Sequence, residues 1–257
     1  THTDILAQAQ SGTGKTGTFT IGALSVLDTQ IRAPQILVIC PTRELSQQTE
    51  RVARAIGDYM NLRVLSATGG NQLRHDISAL KSGAQFIVGT PGRILDLIRR
   101  GDLDLAHMKY VILDEADQML EELFEVQVKD ILNNPFPPST RLALFSATMP
   151  ENVLEIAEQY LSNPIRILLP QDEVTLDGIR QYYLYLEHED WKLPTLLDLY
   201  QQLTVNQALI YVNKRQKAEW LAKQLAAHRF TLEYIHGDME VAERKNYLKF
   251  SDRKSVV

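Results

Sequence analysis

Residues 9–16 form a short, glycine-rich segment that suits contact with phosphate groups. The segment follows an apolar run and reads Ala9-Gln10-Ser11-Gly12-Thr13-Gly14-Lys15-Thr16. In such a loop, backbone amides at the start of a helix can surround phosphate oxygens. Lys15 would reach the outer phosphates, and the Thr16 hydroxyl would ligate magnesium. The strict pattern has glycine where this chain has Ala9, so an ordinary strand-to-helix turn is equally compatible with this segment alone.

The second segment that could do chemistry is acidic and ends an apolar run. Val111-Ile112-Leu113 lead directly into Asp114-Glu115-Ala116-Asp117. At a strand end, Asp114 can hold magnesium and Glu115 can orient a water molecule for attack on a terminal phosphate. A short acidic cluster by itself is more often a solvated face or a helix start. The two segments together predict a site that hydrolyses a nucleoside triphosphate.

The residues of this predicted site have three roles. Those expected to act in catalysis are Lys15, Asp114 and Glu115. Those expected to contact the nucleotide are Ser11, Gly12, Thr13, Gly14, Lys15 and Thr16. The expected magnesium ligands are Thr16 and Asp114.

Composition and charge narrow the class of protein. The chain has 257 residues, 44% of them hydrophobic, which is enough for a full core and for one or two domains. The single cysteine, Cys40, excludes an intrachain disulfide and a cysteine-based zinc site. No apolar stretch approaches the roughly 20 residues that a bilayer span needs, so we expect an intracellular protein without a membrane partner. The net charge of -5 argues against a broad basic surface for duplex binding.

Short apolar runs alternate with segments of helical periodicity along the whole chain. The runs are mostly unalternating, as in strands buried on both faces, and lie at residues 35–40, 62–65, 85–88, 110–113 and 142–145. Further strands are expected at 182–186, 208–212 and 232–235. The alternation predicts an α/β fold with a mostly parallel sheet between helices. A polar stretch led by Pro170 predicts a domain at 1–168, a linker at 169–178 and a second domain at 179–257.

Further motifs make the chain resemble the DEAD-box ATP-dependent RNA helicases. The matching segments are Pro41-Thr42-Arg43-Glu44-Leu45, Gly69-Gly70, Thr90-Pro91-Gly92-Arg93, Ser146-Ala147-Thr148, Tyr211-Val212-Asn213 and His236-Gly237-Asp238-Met239. Residues 175–183 and 191–193 are similar to the translation initiation factor 4A branch of that family. Exon-junction and ribosome-assembly relatives are the alternatives.

The resemblance implies two RecA-like domains, the second of them incomplete here. It implies ATP and Mg²⁺ as cofactors, and single-stranded RNA, short RNA duplexes and a stimulating protein scaffold as partners. The implied RNA-binding residues are Pro41, Thr42, Arg43, Gly69, Gly70, Thr90, Pro91, Gly92, Arg93, Asn213 and Arg244. Asp117, Ser146 and Thr148 would couple hydrolysis to RNA remodelling, with the two hydroxyls hydrogen-bonding the carboxylate. Singly, Thr42 or Thr90 could be a helix cap, and Gly69-Gly70 only a turn.

The implied activity is RNA-stimulated ATP hydrolysis that closes the two domains and locally unwinds short duplexes. Translation initiation in the cytoplasm, rather than the nucleus, is the expected setting. A non-processive RNA clamp in a ribonucleoprotein complex is the alternative function, and a DNA translocase or restriction subunit would share the same nucleotide site.

Two departures from the family pattern bear on these expectations. Val241 stands where the family has a glutamine three positions before Arg244, and Lys214 replaces the usual threonine after Asn213. We also expect the glutamine motif to precede Thr1 and the arginine motifs to follow residue 257. An arginine finger is worth about 10³ to 10⁵ in rate, so a fragment without it should bind nucleotide but turn it over poorly.

Overall fold

The computed structural model describes residues 3–120, 124–169, 179–203, 208–239 and 255–256. The chain divides into two compact units, Thr1–Arg180 and Gln181–Val257. Of the predicted linker, residues 170–178 lie outside the described part of the chain, as does Arg244. In the described ranges, no helix combines the length and the apolar character that crossing a membrane would require.

The first unit is built on a seven-stranded sheet in which every observed pairing is parallel. Its strands are β1 (Ile5–Gln8), β2 (Ile36–Ile39), β3 (Val64–Ala67), β4 (Phe86–Gly89), β5 (Tyr110–Asp114), β6 (Arg141–Ser146) and β7 (Ile165–Ile167). Their order across the sheet is β3-β4-β2-β5-β6-β1-β7. The predicted α/β fold with a parallel sheet is therefore confirmed.

Helices cover both faces of this sheet. They are α1 (Lys15–Val26), α2 (Arg43–Ile56), α3 (Leu73–Lys81), α4 (Pro91–Arg99), α5 (Ala116–Met119), α6 (Glu125–Leu132) and α7 (Glu151–Tyr160), with a 3-10 turn at Asp58–Met60. Successive strand residues point to opposite faces. Thus Ile36 and Val38 pack with α1 and α2, whereas Leu37 and Ile39 pack with the helices of the other face. Burial on both faces explains why the strands are continuous apolar runs.

The strand order separates the sequence motifs into two groups at the carboxyl edge of the sheet. Because all strands are parallel, the loops that follow them meet at one edge. The loops after β3, β4 and β2 carry residues 69–70, 90–93 and 41–43. The loops after β1, β5 and β6 carry residues 9–14, 115–117 and 146–148. The fold thus places the predicted RNA motifs on one half of the edge and the predicted nucleotide motifs on the other.

The second unit contains helices α8 (Lys192–Gln202) and α9 (Arg215–Ala227), and a 3-10 turn at Glu189–Trp191. A parallel pair, β8 (Leu232–Glu233) and β9 (Ser255–Val256), is the sheet found among its described residues. Leu221 and Leu225 of α9 form its buried centre.

Two strand predictions in the second unit are wrong. Residues 182–186 form no ladder, and residues 208–212 contain only an isolated bridge at Leu209. Tyr182 and Tyr183 are 85% and 93% exposed. Aromatic and branched residues favour a strand only where a neighbouring strand and a buried face receive them. No such ladder exists here among the residues that the structure describes.

Gly89 at the end of β4 is a position where the fold leaves no room for a side chain. A Cβ atom there would lie 2.5 Å from the Ala67 carbonyl oxygen and 2.6 Å from Cδ1 of Ile94. We expect Gly89→Ala to lower the free energy of unfolding by about 2 kcal/mol, because the β3 backbone would have to move. Urea unfolding followed by circular dichroism measures this change.

Gly22 provides the matched control, since it is exposed within α1 and an added Cβ would meet nothing within 4 Å. Gly22→Ala should raise the free energy of unfolding by up to about 1 kcal/mol. Equal effects of the two substitutions would contradict the close packing at Gly89.

Candidate functional site

The loop between β1 and α1 has the geometry of an anion-binding turn. Gly12 and Gly14 have positive φ angles of 81° and 96°, which L-residues with side chains rarely adopt. Gly14 is the N-cap of α1, and no side chain caps the first turn of that helix. The amides at this helix start therefore present their partial positive charge to a ligand. Ser11, Gly12, Thr13 and Gly14 are exposed and open to it.

Lys15 joins the two chemical segments. Its side chain is only 6% exposed, and Nζ lies 3.3 Å from Oε1 of Glu115. The same ammonium donates a hydrogen bond to the Ala9 carbonyl oxygen at 3.0 Å. Residues about a hundred positions apart in sequence thus meet at one point, where the predicted phosphate loop faces the predicted acidic motif.

Asp114, the last residue of β5, is buried without a partner. It is 1% exposed, and neither carboxylate oxygen has a hydrogen-bond partner among the described residues. Burial, and then the charge of Glu115, raise the pKa of Asp114 to about 7, while the Lys15 charge and the nearby Glu115 amide act in the opposite direction. A buried carboxylate without a hydrogen-bond partner lowers the stability of the folded chain.

The chemistry of this buried carboxylate suits a cation ligand. Mg²⁺ prefers oxygen ligands and is commonly held by one or two carboxylates together with phosphate oxygens. Thr16, in the first turn of α1 and half-buried, offers a hydroxyl oxygen at the phosphate loop. Asp114 and Thr16 are therefore two residues suited to hold the ion.

Glu115 adopts a strained backbone conformation immediately after the strand. Its φ and ψ angles are 54° and 56°, in the left-handed region, and it is the N-cap of α5. A non-glycine residue in this region costs on the order of 1–3 kcal/mol and often marks a functional site. The turn lets adjacent residues place two carboxylates in the site, one buried and one facing Lys15.

Asp117 connects the acidic motif to the loop after β6. Oδ2 of Asp117 accepts hydrogen bonds from the Thr148 hydroxyl at 2.6 Å and from the Thr148 amide at 3.2 Å. Ser146 accepts a hydrogen bond from the Asp117 amide at 3.2 Å. The expected pair of hydroxyls on one carboxylate is therefore replaced by one hydroxyl on the carboxylate and one on the amide. Ser146 is buried at the end of β6, where the first turn of α5 presents its N–H groups.

On the other half of the edge, the loops after β2 and β3 are in contact. The Thr42 hydroxyl accepts a hydrogen bond from the Leu45 amide at 3.2 Å and caps α2. The Arg43 guanidinium lies against Gly69 and Gly70, so that a Cβ at Gly70 would be 2.5 Å from Nη1. Gly70 also has a φ of 84°. The structure thus brings together two motifs that lie apart in the sequence.

Arg93 is engaged in a buried ion pair. Thr90 is the N-cap of α4 and Pro91 its first residue. From the same turn, Nη1 of Arg93 pairs with Oδ2 of Asp76, and Nη2 donates to the Asn71 carbonyl oxygen at 2.8 Å. The Arg93 and Asp76 side chains are 12% and 3% exposed. Burial raises the pKa of Asp76, and the Arg93 hydrogen bond and charge oppose that rise.

Asp76 was missed by the sequence reasoning, although a signal for it exists. It lies in α3 on the side of Leu73, Ile77 and Leu80, which pack on the core. An acidic residue among such positions requires a partner of opposite charge.

In the second unit, Asn213 is exposed just before α9 and Lys214 is the helix N-cap. Nothing in the structure describes Arg244.

Comparisons with known proteins agree with these motifs. The model of the DEAD/DEAH box helicase family matches residues 1–156. The ATP-dependent RNA helicase eIF4A of Emericella nidulans is 50% identical over 246 residues, which cover 96% of this chain and 62% of that protein. The chain thus spans under two thirds of the length of the curated relatives that it matches.

Two solved structures show the same likeness in three dimensions. S. cerevisiae Dbp5 bound to RNA and ADP BeF3 has a TM-score of 0.87 and 31% identity, covering 99% of this chain and 65% of that one. A DEAD box protein from the hyperthermophile Methanococcus jannaschii has a TM-score of 0.63 and 32% identity, covering 99% of this chain and 69% of that one.

Because the Asp114 carboxylate is buried without a partner, its removal should increase stability but weaken ligand binding. In magnesium-free buffer at pH 8, Asp114→Asn should raise the free energy of unfolding by about 2 kcal/mol, because a buried charge is removed. Magnesium with nucleotide should raise the thermal midpoint of the parent and leave that of Asp114→Asn nearly unchanged. Differential scanning fluorimetry and urea unfolding measure both effects.

The control is Asp58→Asn, since Asp58 is exposed in the 3-10 turn after α2. It should change stability by no more than about 0.5 kcal/mol and leave the magnesium response intact. A destabilised Asp114→Asn in magnesium-free buffer would show that the charge has a partner.

The Arg93–Asp76 pair predicts a strong asymmetry between single and double substitutions. Asp76→Ala should lower the free energy of unfolding by about 3 kcal/mol, because it leaves the buried Arg93 charge uncompensated. The double variant Asp76→Leu with Arg93→Met should lose much less. For comparison, the exposed pair Arg99–Asp130 has side chains 66% and 41% exposed, so Asp130→Ala should cost no more than about 1 kcal/mol. Equal costs for Asp76→Ala and Asp130→Ala would refute the structural weight of the buried pair.

Proposed function

This chain belongs to the DEAD/DEAH box helicase family, and from that premise we propose that its protein is an ATP-dependent RNA helicase of translation initiation. The observation that carries the proposal is the contact of Lys15 with Glu115, 3.3 Å apart, beside the partnerless carboxylate of Asp114. A lysine at a phosphate loop, a cation ligand and a candidate base converge there. The proposal concerns the activity of the whole protein, and this chain spans 62% of the length of the Emericella nidulans relative.

ATP binding would use the start of α1. Its uncapped amides, together with Lys15, would surround the phosphate groups. Asp114 and Thr16 would hold Mg²⁺, which when bound would neutralise charge on the phosphate oxygens. Lys15 would then exchange its Glu115 partner for a phosphate oxygen, because that group carries more negative charge.

Hydrolysis would use the carboxylate that Lys15 releases. Glu115 would orient a water molecule and accept its proton as the water oxygen forms a bond to the terminal phosphorus. The bond from that phosphorus to its bridging oxygen would break, leaving ADP and inorganic phosphate. The strained turn at Glu115 supports this role, since it holds the carboxylate at a fixed place before the nucleotide arrives.

RNA would bind on the other half of the carboxyl edge. Arg43 has no ion pair among the described residues and lies beside the Gly69-Gly70 turn. With the Thr90 N-cap and the start of α4, this surface offers amides, a hydroxyl and a guanidinium to phosphates and sugars. Such contacts favour RNA with little dependence on base sequence. Arg93 would contribute by fixing the loops, because its guanidinium already binds Asp76 and Asn71.

ATP hydrolysis would be coupled to RNA unwinding. ATP and RNA would be coupled through closure of two domains, which parts short duplexes locally. The contacts of Asp117 with Ser146 and Thr148 support a link between the acidic motif and its neighbouring loop. From the likeness to eIF4A we also propose a stimulating protein scaffold and work in the cytoplasm.

Substitutions at Lys15 and Glu115 test the proposal. Lys15→Ala should weaken binding of a fluorescent ATP analogue at least about a hundredfold, because a charged contact to phosphate is lost. Glu115→Gln should bind the analogue nearly as well as the parent, while any magnesium-dependent ATP turnover with single-stranded RNA falls by about 10² to 10³. Binding and phosphate release are measured on the same samples.

Two controls make this experiment specific. Lys81→Ala removes an exposed lysine at the end of α3 and should leave nucleotide binding unchanged. A DNA strand of the same sequence should bind more weakly than the RNA, because it lacks the 2′-hydroxyl groups. Equal affinity for DNA would favour a DNA translocase, and full turnover by Glu115→Gln would refute its role as the base.

A further inference from the structure

Gln8 occupies a central position that no motif assigns. It is the last residue of β1, immediately before the phosphate loop, and β1 lies between β6 and β7. In the parallel ladders, Gln8 is level with Ser146, and Ala7 is level with Ile167. Both neighbouring strands therefore end close to its side chain.

The side chain of Gln8 bridges the segments that follow those two strands. Nε2 donates a hydrogen bond to the Ala147 carbonyl oxygen at 3.3 Å. Oε1 accepts one from the Leu169 amide, also at 3.3 Å. Ala147 lies in the loop that contacts Asp117, and Leu169 is the last described residue before the stretch that leads to the second unit. One half-buried amide thus joins two segments beyond the end of the ladder.

The backbone next to Gln8 is tied to the nucleotide site. The Ala9 amide donates to the Ser146 carbonyl oxygen at 3.1 Å. The Ala9 carbonyl oxygen accepts from Nζ of Lys15 at 3.0 Å. A phosphate group that engages Lys15 would therefore compete with the Ala9 carbonyl oxygen for the ammonium, and Ala9 directly follows Gln8.

We propose that Gln8 is a positioning residue that transmits occupancy of the phosphate loop to the 146–148 loop and to Leu169. This inference rests on the proposed function, because it requires that the loop binds nucleotide. Glutamine suits the role, since its amide offers both a donor for a carbonyl oxygen and an acceptor for an N–H group. A glutamate keeps the acceptor and loses the donor, and a leucine of similar size loses both.

Amide hydrogen exchange, measured by NMR on the whole 257-residue chain, tests the proposal. A non-hydrolysable ATP analogue with magnesium should slow exchange of the Leu169 amide about tenfold in the parent. In Gln8→Leu, the analogue should bind within about threefold of the parent affinity, but exchange at Leu169 should change by less than about twofold. Gln8→Glu should retain the basal protection of Leu169 and lose most of the response.

Gln30→Leu is the matched control, because Gln30 is exposed in the loop between α1 and β2. It should respond like the parent, and slow exchange at Val38 in β2 verifies that every variant is folded. If Gln8→Leu fails to fold, Gln8→Glu decides alone.

Each result distinguishes the two proposals. Nucleotide binding by the parent without a response at Leu169, or an equal response in Gln8→Leu, overturns the role of Gln8 and leaves the proposed function standing. Failure of the parent to bind the nucleotide overturns both.

Discussion

The parallel pairing of β6 between β1 and β5 is the constraint on which the site depends. In this register Gln8 is level with Ser146, and Asp114 is level with Phe145, so three strands end together at one edge. The phosphate loop, the acidic motif and the 146–148 loop all begin from that line. A shift of one residue in any of these pairings would turn every side chain of the strand to the opposite face, including Asp114. The apolar core on both faces prevents such a shift, and hence the packing of the sheet fixes the position of the polar site.

The same edge also carries three features that are unfavourable to folding stability. Asp114 is buried without a partner, Glu115 has a left-handed backbone, and α1 begins without a capping side chain. Each is unfavourable to stability alone, and each suits the proposed binding of a charged ligand. Their concentration within one loop cluster, rather than their individual sizes, distinguishes this end of the sheet. At the opposite edge, the buried Gln35 and Gln85 side chains donate to backbone carbonyls of residues 28–31.

Much of the first unit was predictable because burial on both faces leaves a simple trace in the sequence. The runs at 35–40, 85–88 and 110–113 contain or overlap β2, β4 and β5. The run at 62–65 is displaced from β3 (Val64–Ala67), because Leu62 packs near Gly57 instead of continuing the strand. The strand predicted at 182–186 is absent, because residues with a preference for strands form one only where a neighbouring strand pairs with them. The identity of Arg93 as the partner of Asp76 and the bridging by Gln8 were not predictable from the sequence, since each depends on residues that only the folded chain brings together. The spacing of the motifs predicted where the loops lie, but the contacts of their side chains depend on the tertiary structure.

The ion pair between Lys15 and Glu115 has a consequence for how the site treats small molecules. A nucleoside without phosphate groups carries no charge with which to compete for the ammonium, so Glu115 would stay paired with Lys15, 3.3 Å away. A water molecule nearby would find no carboxylate free of the ammonium to take its proton. In the proposed mechanism, the Lys15–Glu115 pair would therefore respond to the charge of a ligand rather than to the shape of its base. Molecules that resemble the nucleoside in shape but lack phosphate groups would therefore not activate Glu115.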